Sequence, residues 1–166
     1  MKKQKGFSLI ELLIVVAIIL IIAAIAIPNL MRSRMAANES SAVGSVRTIN
    51  TAMVTYAASF PDTGYALALT NLGGTTAACA PPAVAVVGAA CLIDSLLSVT
   101  QQKSGYAFAA AGAATAGSTT NNTYTVTSTP LSIGATGNRG FFSDQSGVIR
   151  YTLDGTAPTI ASSPLQ

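Results

Sequence analysis

From Phe7 to Met31 the chain reads FSLIELLIVVAIILIIAAIAIPNLM, apolar at almost every position and interrupted by one charge, Glu11. That length meets the roughly 20 residues a helix needs to cross a bilayer. The pattern then changes without stopping. Val46, Ile49, Met53, Tyr56 or Ala57, and Phe60 recur at steps of three and four, while Arg47, Thr48, Asn50, Thr51 and Thr55 fill much of the remaining surface. Gly44 is the one strong breaker in the joining stretch RSRMAANESSAVGS. The spacing predicts a single helix from Phe7 to about Phe60, apolar all round in its first half (residues 7–31) and amphipathic in its second (32–60). At about 1.5 Å per residue it would be roughly 80 Å long, far more than a membrane requires. Its second half must therefore pack against its own globular domain or against other chains. Pro28 removes a backbone donor where lipid should give way to water, which predicts a kink or a local opening. FPDTG, Phe60 to Gly64, carries the proline and glycine of a helix stop.

Beyond residue 61 the pattern shortens. LALTNLGG and LIDSLLSV pair apolar residues at helical spacing, as two short helices flanking a cysteine-bounded segment. AATAGSTTNN is low in complexity and reads as an exposed loop. TYTVTSTP, Thr123 to Pro130, is rich in strand formers and ends in proline. RGFFSDQSGVIRYTLDG is two such runs around SDQSG, a hairpin with Asp144 and Gly147 as turn residues. One long helix followed by strands with short connections predicts an α+β fold, with a head at residues 61–166 built on an antiparallel sheet of three or four strands. The sheet should pack on the stripe Val46, Ile49, Met53 and Phe60. Tyr106, Phe108, Tyr124, Val126 and some of Phe141, Phe142, Ile149 and Tyr151 should supply its side of the core.

Charge alters this picture in one respect. Charged residues are 9% of the 166, where about a quarter is usual. The formal charge of +3 comes from Lys2, Lys3 and Lys5; of nine Lys and Arg, six remain from Phe7 onward and face six Asp and Glu. A chain neutral beyond its first six residues offers no broad basic surface for nucleic acid. Three lysines ahead of the apolar run place the N-terminus in the cytoplasm and export the rest, and Arg32 and Arg34 weaken that bias without reversing it.

Candidate chemistry is sparse. There is no His, so the usual triads and the commonest metal ligand are missing. Asp144 and Asp154 could coordinate calcium, but two acids without an EF-type loop read better as turn formers. GGTT and GATGNRG lack the lysine and the strand-to-helix setting of a phosphate loop. Asn38-Glu39-Ser40 and Asn121-Asn122-Thr123 match a glycosylation pattern that is common by chance. Neither an enzymatic constellation, a cofactor nor a metal site is expected. Cys79 and Cys91 match neither a redox pair nor a zinc site. In an exported chain they would form a disulfide, worth roughly 3 kcal/mol by loop closure, the alternative being two buried free thiols.

An ordinary secretory signal is the plain reading of the N-terminus: a basic start, an apolar core, and AIA (Ala24 to Ala26) directing cleavage near Ile27, to release a soluble binding domain. The core is long for that, and it carries Glu11. The segment KGFSLIELLIVVAIILIIAAIAIP instead closely resembles the N-terminus of type IV prepilins and of the related type II secretion pseudopilins: Gly6 before Phe7, Glu11 four residues on, Pro28 near the end. FFSDQSGVIRY is similar, less specifically, to the last hairpin of pilin-like proteins.

The resemblance implies a leader at residues 1–6, cut between Gly6 and Phe7 by a prepilin peptidase that then N-methylates Phe7. It implies that Glu11 pairs with the Phe7 amine of a neighbouring subunit during assembly; a carboxylate snorkelling at the interface is the alternative. At Pro28 it implies a region able to lose helical order in the filament, against a static kink. It further implies a single-pass inner-membrane precursor, N-terminus inside, that becomes a structural subunit of an extracellular pilus and in particular the major one. The partners would be other copies of the chain, minor pilins, and an assembly platform with its ATPase; adhesion, twitching motility or DNA uptake would belong to the polymer. A pseudopilin acting in secretion is the alternative within the family.

Overall fold

A computed structural model describes residues 8–82 and 84–165. Helix α1 runs from Leu9 to Ser59 and takes in both Pro28 and Gly44. Phe7, the expected first helical residue, lies outside the described residues. The chain divides into two compact units, Met1–Arg34 and Met35–Gln166. In the first, the helix buries nothing: Leu9 through Met31 are exposed apart from half-buried Ala23, and this is the one described helix long and apolar enough to cross a membrane.

In the second unit the same helix has one buried face. Ala42, Val46, Ile49, Met53 and Tyr56 are closed to solvent, and Phe60 is half-buried at the end. That stripe covers one side of a six-stranded antiparallel sheet whose spatial order follows the chain: β1 (Gln102–Lys103), β2 (Tyr106–Ala113), β3 (Thr123–Pro130), β4 (Gly140–Asp144), β5 (Arg150–Thr152) and β6 (Ser163–Pro164). The expected three or four strands become six because β1 and β6 are two-residue edges, too short to leave a periodic pattern. β1 and β2 are joined by Ser104-Gly105, both at positive φ (50° and 75°), which suits a two-residue hairpin turn.

Strand periodicity sorts the side chains. Tyr106, Phe108, Tyr124, Val126 and Phe141 enter the core with Ile149 at its margin, and Tyr151 packs half-buried against it. On the other face Ala107, Ala109, Ala111 and Ala113 stand opposite Thr129, Thr127, Thr125 and Thr123. Phe142 pairs with Thr127 on that outer face, so it is buried without joining the main core. Between α1 and β1 lie α2 (Leu69–Gly73) and a π-helical turn (Leu96–Thr100), where the two short helices were expected. They bring Leu69, Leu72 and Leu97 into the core.

Candidate assembly site

The N-terminal feature begins at Ser8. Its backbone N–H donates to Glu11 Oε2 at 2.9 Å, and its carbonyl accepts the first helical bond from Leu12 at 3.3 Å. Ser8 is thus the N-cap of α1, and Glu11 sits three residues into the helix. Ser-x-x-Glu is the sequence signature of a capping box, and the glutamate half of it is formed here. An anion in the first turn also opposes the positive end of the helix dipole. In a single chain, then, the carboxylate has a local partner that the apolar pattern alone did not reveal. Gly6 and Phe7, the expected cleavage and methylation residues, lie outside the described residues. Pro28 lies within the continuous span of α1.

In the second unit the helix start is fastened to the β3–β4 loop. Glu39 Oε1 accepts the backbone N–H groups of Asn138 (2.9 Å) and Arg139 (3.3 Å), while its Oε2 is 3.7 Å from Arg139 Nε. Asn38 Nδ2 donates to the Thr136 carbonyl at 2.9 Å, and Tyr106 Oη to that of Arg139 at 2.9 Å. The Arg139 guanidinium lies 5.3 Å from the Tyr151 ring centre, within cation–π range. Burial pushes the Tyr106 hydroxyl up to about 12, with the nearby Glu39 charge adding to the effect. A groove of about 610 Å³ opens beside this latch, lined by Glu39, Val43, Arg47, Arg139, Phe141 and Leu165.

Cys79 and Cys91 are joined in a disulfide, with Cα atoms 5.6 Å apart. The loop they close is held down by polar contacts and by Ala90, which enters the core. Tyr56 Oη donates to the Val87 carbonyl at 2.7 Å and Asn71 Nδ2 to the same oxygen at 3.3 Å. Val84, Val86 and Val87 remain exposed. They lie in a run from Thr63 to Ile93 that carries no charge at all.

The aspartates act as turn formers: Asp144 Oδ1 accepts from Ser146 N and Asp154 Oδ1 from Thr156 N, each two residues on. Among the described residues no group of three or more His, Cys, Asp or Glu could hold a metal ion. Both glycosylation patterns are structurally occupied. The side-chain amide of Asn121 donates to the Tyr65 carbonyl at 2.9 Å, and that of Asn38 is the latch to Thr136. Asn38 and Glu39 were read from the sequence only as part of a glycosylation pattern and Arg139 only as part of GATGNRG; their latch role left no signal, because it joins the helix to backbone groups about a hundred residues away.

Residues 1–27 match the model of the prokaryotic N-terminal methylation motif. Over 40 residues the chain is 60% identical to a type IV wide pilus major component of Thermus thermophilus, PilA4, a stretch covering 24% of this chain and 30% of that one. It is 44% identical over 54 residues to the type IV major pilin protein PilA of Myxococcus xanthus, covering 32% and 24% of the two chains. It is 35% identical over 54 residues to the type II secretion system core protein G of Escherichia coli, covering 32% and 37%. The chain therefore spans between about a quarter and just over a third of the length of these relatives. No solved structure matches the chain.

Proposed function

We propose that this chain is a structural, non-enzymatic subunit of a type IV pilus, in the role of the major pilin. The observation that carries the reading is the first half of α1: an apolar helix, exposed along its length, with one carboxylate at Glu11, inside a segment that matches the methylation motif. In the proposed sequence the leader 1–6 is removed between Gly6 and Phe7 and the new Phe7 amine is methylated. The precursor waits as a single span in the bacterial inner membrane. Extraction by an assembly platform with its ATPase, alongside minor pilins, then packs the stems together with the α+β heads outward. Contacts that repeat without closing make a fibre. Adhesion, twitching motility or DNA uptake would be properties of that fibre.

Glu11 acquires a second role after cleavage. In the single chain its carboxylate caps Ser8. In the bundle of stems it meets the Phe7 amine of another copy, and a mismatched neighbour leaves a buried charge alone at a cost of about 3–5 kcal/mol. Sequencing of the mature N-terminus tests the processing: methylated Phe7 supports the reading, and Ile27 sinks it. Cleavage at Ile27 would also divide the continuous helix Leu9–Ser59, which favours the pilin reading over a secreted domain. Assembly is tested with Glu11→Val; filaments formed at wild-type yield would show that the charge pair is not used. A type II secretion pseudopilin is the second reading, favoured by the likeness to core protein G. Loss of surface pili on deletion of the gene supports the first, and loss of protein secretion with pili intact supports the second.

A further inference from the structure

Among the described residues Arg34 and Asp154 are charges of opposite sign that lie outside the ion pairs and near exposed aliphatic side chains. Asp154 follows Leu153 in the β5–β6 loop, where Leu153 is 69% exposed. Ile133 of the β3–β4 loop, 60% exposed, lies against Gly155 in that same loop, and Leu131 beside it in sequence is also exposed. The Asp154 carboxylate is fixed in direction by Thr156, whose backbone N–H and hydroxyl both donate to Oδ1, at 3.1 and 2.7 Å. Those bonds lower its carboxyl from the ordinary aspartate value. The opposite number is on α1. Ile27, Leu30 and Arg34 recur at three and four residues, so they share one helical face, and all three are exposed.

The ion pairs among the described residues are Lys103 with Asp94 and Arg139 with Glu39, so neither Arg34 nor Asp154 is engaged by this route. The other exposed charges lack this setting: Arg32, also exposed and outside those pairs, has Asn29 and Pro28 rather than aliphatic side chains three and four residues before it. Asp62 follows Pro61 at the helix stop, and Arg47 lines the polar groove beside Glu39.

We propose that the loop cluster Leu131, Ile133 and Leu153 of one copy docks on the Ile27–Leu30–Arg34 face of a second copy, with Asp154 paired to Arg34. The proposal rests on the polymer reading and adds the register of one of its contacts. Aliphatic groups cover aliphatic groups, and the two charges meet at the edge of the patch. An exposed pair of this kind gives register and partner choice more than raw affinity. It also gives Arg34, the second arginine beyond the apolar run, a partner once lipid headgroups no longer surround it.

The test is charge exchange in the full-length chain, made in cells lacking the native copy, with sheared filaments measured against cell-associated chain. Asp154→Arg and Arg34→Asp should each lower that ratio by about tenfold or more, since like charges are then opposed. The double exchange R34D/D154R should recover most of the loss. Asp154→Asn keeps the acceptor for Thr156 and should give a smaller loss, which separates the charge from the fold of the turn. Independently, filaments carrying Arg34→Cys and Leu153→Cys should yield dimers with a short bismaleimide linker, the native cysteines being already joined. Single exchanges that assemble like wild type, a double no better than the worse single, or no cross-linked dimer would each overturn the docking. Wild-type chain that never appears in sheared filaments would overturn the polymer reading itself, and the docking with it.

Discussion

Removing the Glu39 carboxylate should loosen the head from its helix, by an amount set by two hydrogen bonds rather than by an ion pair. In Glu39→Ala the N–H groups of Asn138 and Arg139 lose an anionic acceptor at 2.9 and 3.3 Å. Bonds to a charged group are worth about 1.5–3 kcal/mol each, but both donors sit in an exposed loop where water can replace the carboxylate. The expected cost is therefore about 2 kcal/mol in total, below the roughly 3 kcal/mol that two such bonds would give at the low end of that range. The Arg139 ion pair adds little, because its atoms are 3.7 Å apart and the arginine is 45% exposed. Pairs of that kind contribute about 0–1 kcal/mol. Glu39→Gln keeps a neutral acceptor and should lose only about 1 kcal/mol.

The measurement is urea unfolding of the full-length chain in detergent, followed by tyrosine fluorescence, which five Tyr and no Trp make the natural probe. A double-mutant cycle with Arg139→Ala isolates the side-chain pair. Its coupling should stay below about 1 kcal/mol while Glu39→Ala alone costs about twice that. A coupling equal to the whole cost would refute the reasoning, since the ion pair and not the backbone capture would then hold the loop. A spectroscopic check is independent of stability. Because the Glu39 charge helps raise the Tyr106 hydroxyl, Glu39→Gln should let Tyr106 ionise at lower pH.

Two further measurements address the core and the loop. Burial lifts both Tyr106 and Tyr124 to about 12 from the ordinary 10, so the folded chain holds these protons more tightly than the unfolded one. The stability they contribute is complete below pH 10 and is lost as pH rises through 12; unfolding midpoints that stay level across that window would contradict the burial. Replacing Cys79 and Cys91 together by Ser opens the closed loop and should lower stability by about 3 kcal/mol in the denaturant assay, and a loss under about 1 kcal/mol would mean that Tyr56 and Asn71 hold the loop unaided.

What the sequence made legible follows from where periodicity is strong. The stripe Val46, Ile49 and Met53 is fully buried as its spacing requires, because a helix repeats its face every three to four residues. Thr123 to Pro130 forms β3 over the expected residues. Edge strands escape such reading: Gln102–Lys103 and Ser163–Pro164 are strands only because a neighbour offers hydrogen bonds. Phe142 was assignable to the sheet but not to a face, since Phe141 and Phe142 are adjacent and only the register decides which points inward. The capping role of Glu11 was present as Ser8-x-x-Glu11 and was overshadowed by the apolar run around it. The Glu39 latch leaves no local pattern, because a backbone N–H is offered by nearly every residue and only the fold selects which two.

Few charges remain in this chain, and several stand alone. A freely soluble monomer carries interspersed charges of both signs over much of its surface. Here the run from Thr63 to Ile93 has none, and Val84, Val86 and Val87 within it face solvent. Arg34 and Asp154 stand outside the two ion pairs, each beside exposed aliphatic side chains. In water such isolated charges cost little. Once copies pack as proposed, a charge carried into the stem bundle must find its opposite or be left buried and unmatched, at a cost of about 3–5 kcal/mol, whereas a charge at the rim of a contact sets register. Sparse charges on an otherwise apolar and small-residue surface therefore discriminate strongly between registers, because one wrong neighbour is not diluted by many right ones. Under the proposed assembly Glu11 would obey that rule within the stem, and Asp154 would set register at the rim of a head contact.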